Sequence, residues 1–187
     1  MSAHETMLSE GEALWASVLD RVDDDRLTAA SGCPGWTNRD LINHVIGGGH
    51  RYSMLLDGAA ADDTAFTRDV DYVADGAVSE FWRSEELLRA SAAAADLCAD
   101  VDHRVRRRPG RDLVPMRTME LTLHALDLCT GIGVEWTPSA ALAEYLLTDA
   151  ASIIEDIRGA GAFAPATEPA SHAPVDRLLA FAGRDAR

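Results

Sequence analysis

Residues 117–128, RTMELTLHALDL, constrain the chain more than any other stretch. An α-helix turns about 100° per residue, so with Glu120 at zero, His124 falls at about 40°, Asp127 at about −20° and Arg117 at about 60°. The other positions are Met, Leu, Ala and Thr. The segment is therefore a helix that is apolar on nearly all sides, with one narrow polar stripe. Such a helix is normally buried, and polar groups carried into an interior must find partners there.

A second helix supplies the expected partner. Thr37 reads as an N-cap with Asp40 as its capping-box acid, and Trp36 can staple onto Leu41. From there to about Asp57, Leu41, Val45, Gly48, Tyr52 and Leu55 define an inner face. His44 lies on that face, about 60° from Leu41, whereas His50 points the opposite way and is expected to be exposed. An inward His44 meeting Glu120 and His124 makes a two-histidine, one-carboxylate set. Neutral imidazoles and a carboxylate suit a divalent cation, and facing helices of a bundle are where such sites are built. Glu120 and His124 sit one turn apart, so both can reach one ion. Asp127 is expected to accept the free ring N–H of His124 and fix its tautomer. Arg117 is a candidate for binding a carboxylate of a cofactor or substrate, with an ordinary salt bridge as the alternative.

Around these two helices the pattern predicts an all-α bundle in one domain, residues 1–187. A first helix spans 5–22. A third spans roughly 75–98, with Val78, Phe81, Trp82, Leu88, Ala92 and Ala95 turned inward. Residues 99–114 connect, with a short hairpin about Pro109-Gly110. The fourth helix begins near Pro115, suited to a first turn, and ends at Gly131/Gly133. Thr137-Pro138 opens a fifth that reaches about Arg158. The tail, 160–187, ends in the amphipathic DRLLAFAGRDAR and is expected to dock on the body.

Other chemistries are disfavoured. The formal charge is −14, which speaks against nucleic acid and anionic membranes. All 17 basic residues are arginine. The one basic run, HRVRRRPGR at 103–111, is expected to be a solvated turn, or else to attract an anionic small molecule. No apolar run approaches the ~18 residues of a membrane span, the mean hydropathy is −0.09, and the N-terminus lacks the features of a secretory signal; a cytoplasmic location follows. Cys33, Cys98 and Cys129 show no zinc-finger or disulfide spacing. Cys129 lies about 180° from Glu120, Cys33 reads as structural within a Pro-Gly turn and Cys98 as a helix-end residue, so none is expected to be a nucleophile. The GGG at 47–49 falls inside a helix and is not a phosphate loop.

At CPGWTNRDLINHVIGG and MELTLHALDLCTGIG the sequence resembles the DinB-like superfamily, and more narrowly the metal-binding domain of mycothiol-dependent maleylpyruvate isomerases. The C-terminal DRLLAFAGRD resembles the ending of single-domain actinobacterial members. The resemblance implies a DinB-like four-helix bundle, here with a short extra C-terminal helical segment. It also implies a divalent metal on His44, Glu120 and His124, with Asp127 in the matching trailing position. The isomerase carries an additional C-terminal domain that this chain is expected to lack, so maleylpyruvate isomerisation itself does not carry over. What carries over is a metal-dependent S-transferase or isomerase using a low-molecular-weight thiol such as mycothiol on a small-molecule electrophile. Zinc is expected first, with nickel or iron as alternatives, and a homodimer is plausible from the family. The rival readings are a metal-dependent hydrolase, a metal-binding protein without catalysis and, last, a non-haem iron oxygenase.

Overall fold

The computed structural model describes residues 2–184. It is an all-α fold built on four long helices: α1 (Ala3–Leu19), α2 (Asn38–Leu56), α3 (Ala77–Ala94) and α4 (Leu113–Ile132). Three shorter helices follow: α5 (Ala140–Asp149), α6 (Ala151–Gly159) and α7 (Pro174–Phe181). Between α3 and α4 the strands β1 (Asp100–Val101) and β2 (Arg108–Pro109) form the small antiparallel hairpin that the Pro-Gly pair predicts.

The helix ends follow from their residues. Ser2 and Glu5 form a reciprocal capping box on α1, and Thr37 and Asp40 form one on α2. α4 stops at Gly133, which takes a left-handed φ of 72° that a side chain would resist. α4 starts two residues before Pro115, which still falls in the first turn where no backbone donor is needed. The fifth expected helix differs. Its N-cap is Ser139, whose side chain accepts from the Leu142 N–H, and the run breaks at Ala150 into α5 and α6.

α2 packs on α3, α1 on α4, and α2 on α4. One core cluster gathers Trp15, Leu41, Ile42, Ile46, Phe81 and Leu121; a second centres on Leu113, Met116, Leu123 and Leu146. Each such side chain contributes about 1.5–3 kcal/mol on burial. α3 departs from expectation: Val78 and Trp82 are each 40% exposed, while its buried face is Phe81, Ser84, Glu85, Leu88 and Ser91. The inward acid on that face has a partner described below, and a purely apolar pattern could not anticipate it.

The segment after α6 returns along the bundle. The Thr167 N–H donates to the Ala180 carbonyl, Arg158 bonds the carbonyls of Ala164 and Phe181, and Leu178 and Leu179 of α7 are buried. The last three residues of the predicted tail, 185–187, lie outside the described ones. No helix among the described residues is long and apolar enough to cross a membrane.

Candidate metal centre and its cavity

α2 and α4 bring His44, Glu120 and His124 together. His44 Nε2 lies 3.3 Å from Glu120 Oε1. The imidazoles of His44 and His124 meet edge to face at 5.2 Å. Each of the three residues offers a ligand atom, and these atoms lie within 4.8 Å of one another. That spacing and the donor set of two ring nitrogens and one carboxylate oxygen fit a single divalent cation.

Each candidate ligand is held from behind. Nδ1 of His124 donates to Asp127 Oδ2 at 2.9 Å. Burial by itself would raise the Asp127 carboxyl. The bond from His124 and the charge of Arg184 outweigh it and hold the group below its ordinary range. Asp127 is thus a charged acceptor for the Nδ1–H of His124, which leaves Nε2 as the ring nitrogen not engaged by Asp127. Glu120 behaves alike: burial raises it, but His44 and Arg117 hold it well below the usual carboxylate range. The His44 imidazole is pushed down by burial, against the pull of Glu120, which favours the neutral form a ligand requires.

Arg117 is fully buried and does not line the cavity. Its Nη1 donates to Glu120 Oε2 at 2.6 Å and to the Val45 carbonyl at 2.9 Å, and its Nη2 donates to Glu85 Oε1 at 2.5 Å. Arg117 therefore takes the salt-bridge alternative and not the ligand-binding role: it forms two internal ion pairs, with Glu85 of α3 and Glu120 of α4, and a hydrogen bond to the backbone of α2. The glycine run of α2 makes room for it. A Cβ on Gly48 would stand 2.6 Å from Glu120 Oε2 and 2.7 Å from Arg117 Nη1, and one on Gly49 would meet Ser84 Oγ at 2.6 Å.

Three placements differ from the sequence reading. Cys33 is not merely a turn residue: its Sγ donates to Asp127 Oδ2 at 3.1 Å, lies 3.7 Å from His124 Nδ1 and lines the cavity. The turn is drawn there by a bond from the Gly32 N–H to the Asp127 carbonyl at 2.8 Å, a contact between a loop and a helix that no helical wheel contains. Burial and the neighbouring Asp127 push the thiol up to about 12, so it remains an S–H donor. His50 is half-buried rather than exposed, stacked on Tyr72 at 5.2 Å. In the basic run, Arg106 pairs with Asp156, but His103 and Arg104 line the cavity. Cys98 is exposed and Cys129 buried, both away from the site.

The candidate ligands open onto a cavity of about 780 Å³. Trp36 stands at its lip, its ring 4.7 Å from that of His44. Tyr52, Leu55, His103 and Ile157 also line the cavity, as do Phe163 and Arg184 from the C-terminal segment. Arg184 reaches across to bond Asp127 Oδ1.

Comparison with known proteins agrees with this architecture. Residues 8–129 match the family model described as the mycothiol maleylpyruvate isomerase N-terminal domain. Two uncharacterized proteins of Mycobacterium tuberculosis, from strains CDC 1551 and H37Rv, are each 30% identical over 178 residues, covering 92% of this chain and 93% of theirs. Among solved structures, the crystal structure of the mycothiol-dependent maleylpyruvate isomerase superposes with a TM-score of 0.61 at 20% identity, over 82% of this chain and 70% of that one. A histidine-to-alanine mutant of the isomerase gives the same TM-score at 19% identity. At that level of identity the structural likeness speaks for the fold.

Proposed function

The chain belongs to the mycothiol maleylpyruvate isomerase N-terminal domain family, and from that premise we propose that it is a divalent-metal-dependent enzyme using a low-molecular-weight thiol, mycothiol or a close relative, as an S-transferase or isomerase. One observation carries the reading. Two imidazoles and a carboxylate offer ligand atoms within 4.8 Å of one another, at the wall of a cavity large enough for both a thiol and a small electrophile.

His44, Glu120 and His124 would hold the cation. Their nitrogen and oxygen donors suit zinc, with nickel or iron as alternatives. When bound, the cation supplies the means of turning a coordinated thiol, with an ordinary pKa of about 8.5, into a thiolate at neutral pH. The protein's own groups do the rest. Asp127 keeps the proton on Nδ1 of His124, so that Nε2 faces the site. Arg117 occupies Oε2 of Glu120, leaving Oε1 toward His44. Cys33 stays protonated and does not compete as a nucleophile. Leu55, Met119, Leu123 and Phe163 keep that part of the chamber apolar, so a reacting thiolate there sheds its water.

The hydrolase alternative needs a general base beside the site. Glu120 and Asp127, the acids lining the cavity among the described residues, are both engaged in ion pairs. A purely metal-storing role gives no reason for the adjoining chamber. We place the enzyme in the cytoplasm, where such thiols are kept reduced. A homodimer is part of the proposal on family grounds alone.

The test begins with metal analysis of the purified protein. The metallated form is then incubated with mycothiol and a panel of electrophiles, and separately with ester and amide substrates. We expect thiol-dependent consumption of at least one electrophile, lost on chelation, restored by zinc, and absent in His124→Ala. Turnover of esters without thiol would replace this reading with the hydrolase. Metal binding without turnover in either panel would replace it with the non-catalytic role.

A further inference from the structure

The chain carries 31 acidic residues against 17 arginines, yet the cavity is lined the other way. Arg51, Arg68, Arg104 and Arg184 face Glu120 and Asp127. Arg184 is spent on Asp127, and Glu120 is spent on Arg117 and His44. Among the described residues Arg51, Arg68 and Arg104 form no ion pair. Arg68 and Arg104 are exposed, as unpaired arginines elsewhere on the surface are, whereas Arg51 is buried.

Arg51 is the informative one. It is 6% exposed, and its guanidinium donates to Thr67 Oγ1 at 3.1 Å and to the His44 carbonyl at 3.2 Å. A guanidinium carries five N–H donors, so these two neutral acceptors leave most of them uncommitted. Burial pushes the guanidinium down, and the negative charge that opposes this is Glu120, which forms no ion pair with Arg51 and is already held by Arg117 and His44; a buried cation so placed gains from an anion that joins it. On the same wall the His103 imidazole is pushed down to about 4, first by burial and then by the charges of Arg108 and Arg104. Behind it, Arg108 is fully buried with no hydrogen-bond partner among the described residues and Asp156 Oδ2 at 3.5 Å. Next to these cations the lining is apolar, with Leu55, Met119, Leu123, Ile157 and Phe163.

We propose that the cavity seats a carboxylate carried on an apolar body of aryl size, its anionic end on Arg51 with Arg104 and Arg68 at the opening and its body against Leu55, Met119, Leu123 and Phe163. This deepens the enzyme reading above, on which it rests, by naming the class of electrophile. Arg51 bonds the backbone of His44, so the carboxylate end is held within a short reach of the candidate ligands. A planar guanidinium is built to hold a carboxylate through two parallel bonds. The apolar wall then selects against small, fully polar acids, which would leave it uncovered.

Benzoate and benzamide separate charge from shape, and their binding to the full metal-loaded chain can be followed by NMR and calorimetry. We expect benzoate to bind about 10-fold or more tighter than benzamide, the scale of a charge-assisted contact. R51Q should bring benzoate down to the benzamide level while leaving benzamide unchanged. R104M, at an exposed position whose loss does not threaten the fold, should weaken benzoate about 3-fold. In His124→Ala stripped of metal, benzoate should still bind, because arginine holds it. Equal binding of the two probes would overturn the proposal. So would unchanged benzoate affinity in R104M and R68M if R51Q fails to fold, or disappearance of benzoate binding in the metal-free His124→Ala. Failure of thiol turnover with benzoate binding intact would strike the enzyme reading and leave the seat standing. The reverse result would strike the seat alone.

Discussion

Asp127 does more work than its place one turn past His124 suggests. Its two oxygens accept from His124, Cys33 and Arg184, joining a helix, a loop and the C-terminal segment through one carboxylate. Asp127→Asn keeps the shape and removes the charge, and partners of this kind are worth about 10–100-fold in metal affinity. A zinc competition titration should find a loss in that range; an unchanged affinity would mean that His124 is oriented by packing alone. His103 offers a different test. Its folded value of about 4 lies below the ordinary imidazole value of about 6.5. The unfolded chain therefore takes up this proton first, and stability is lost as pH falls from about 6.5 toward 4. In His103→Gln the melting temperature should decline less steeply between pH 6.5 and 5, a window above most carboxylate titration. Parallel curves for the two proteins would refute the assignment. His44, Glu120, His124 and Asp127 were all legible in the sequence, because one helical period aligned three of them and the second helix offered an inward imidazole. Cys33 and Arg184 were not, since both arrive from segments whose path depends on tertiary contacts.

At the scale of elements, α2 and α4 follow closely from their sequences: capping box, periodicity and terminal glycine each act locally. α3 does not, because its inward Glu85 is tolerable only opposite Arg117. A helix that buries an acid cannot be oriented from apolar residues alone, which is why the apolar pattern points Val78 and Trp82 inward although each is 40% exposed. The split of the fifth helix at Ala150 also escaped the sequence, where neither proline nor glycine marks it. The close approach of α2 to the Glu85–Arg117–Glu120 array has a direct consequence. Gly48→Ala would put a methyl group 2.6 Å from Glu120 Oε2, and overpacking of this kind costs roughly 1–3 kcal/mol. We expect a lowered urea midpoint together with weaker zinc binding, because the atom displaced belongs to a candidate ligand. Stability falling with no change in zinc affinity would show that the carboxylate yields without leaving its post.

Taken whole, the molecule is an acidic shell around a chamber with unpaired cations, and the all-α class was readable from periodicity while the chamber was not. Its walls come from α2, α4, the hairpin loop and the returning C-terminal segment, which are far apart in the chain. Ligation that joins α2 to α4 binds the folded state alone, so it should stabilise the whole bundle. At a free zinc concentration 100 times the dissociation constant the gain is about 2.7 kcal/mol. Chelation should therefore lower the melting temperature by several degrees, with His44→Ala insensitive to zinc. A melting curve indifferent to zinc in the unsubstituted protein would argue against a shared cation. The indole of Trp36, packed 4.7 Å from the His44 ring at the mouth of the chamber, gives the protein a built-in optical reporter. A paramagnetic ion such as cobalt(II) lodged beside that ring would quench its emission, so occupancy can be followed by light, without a label, in the unmodified chain.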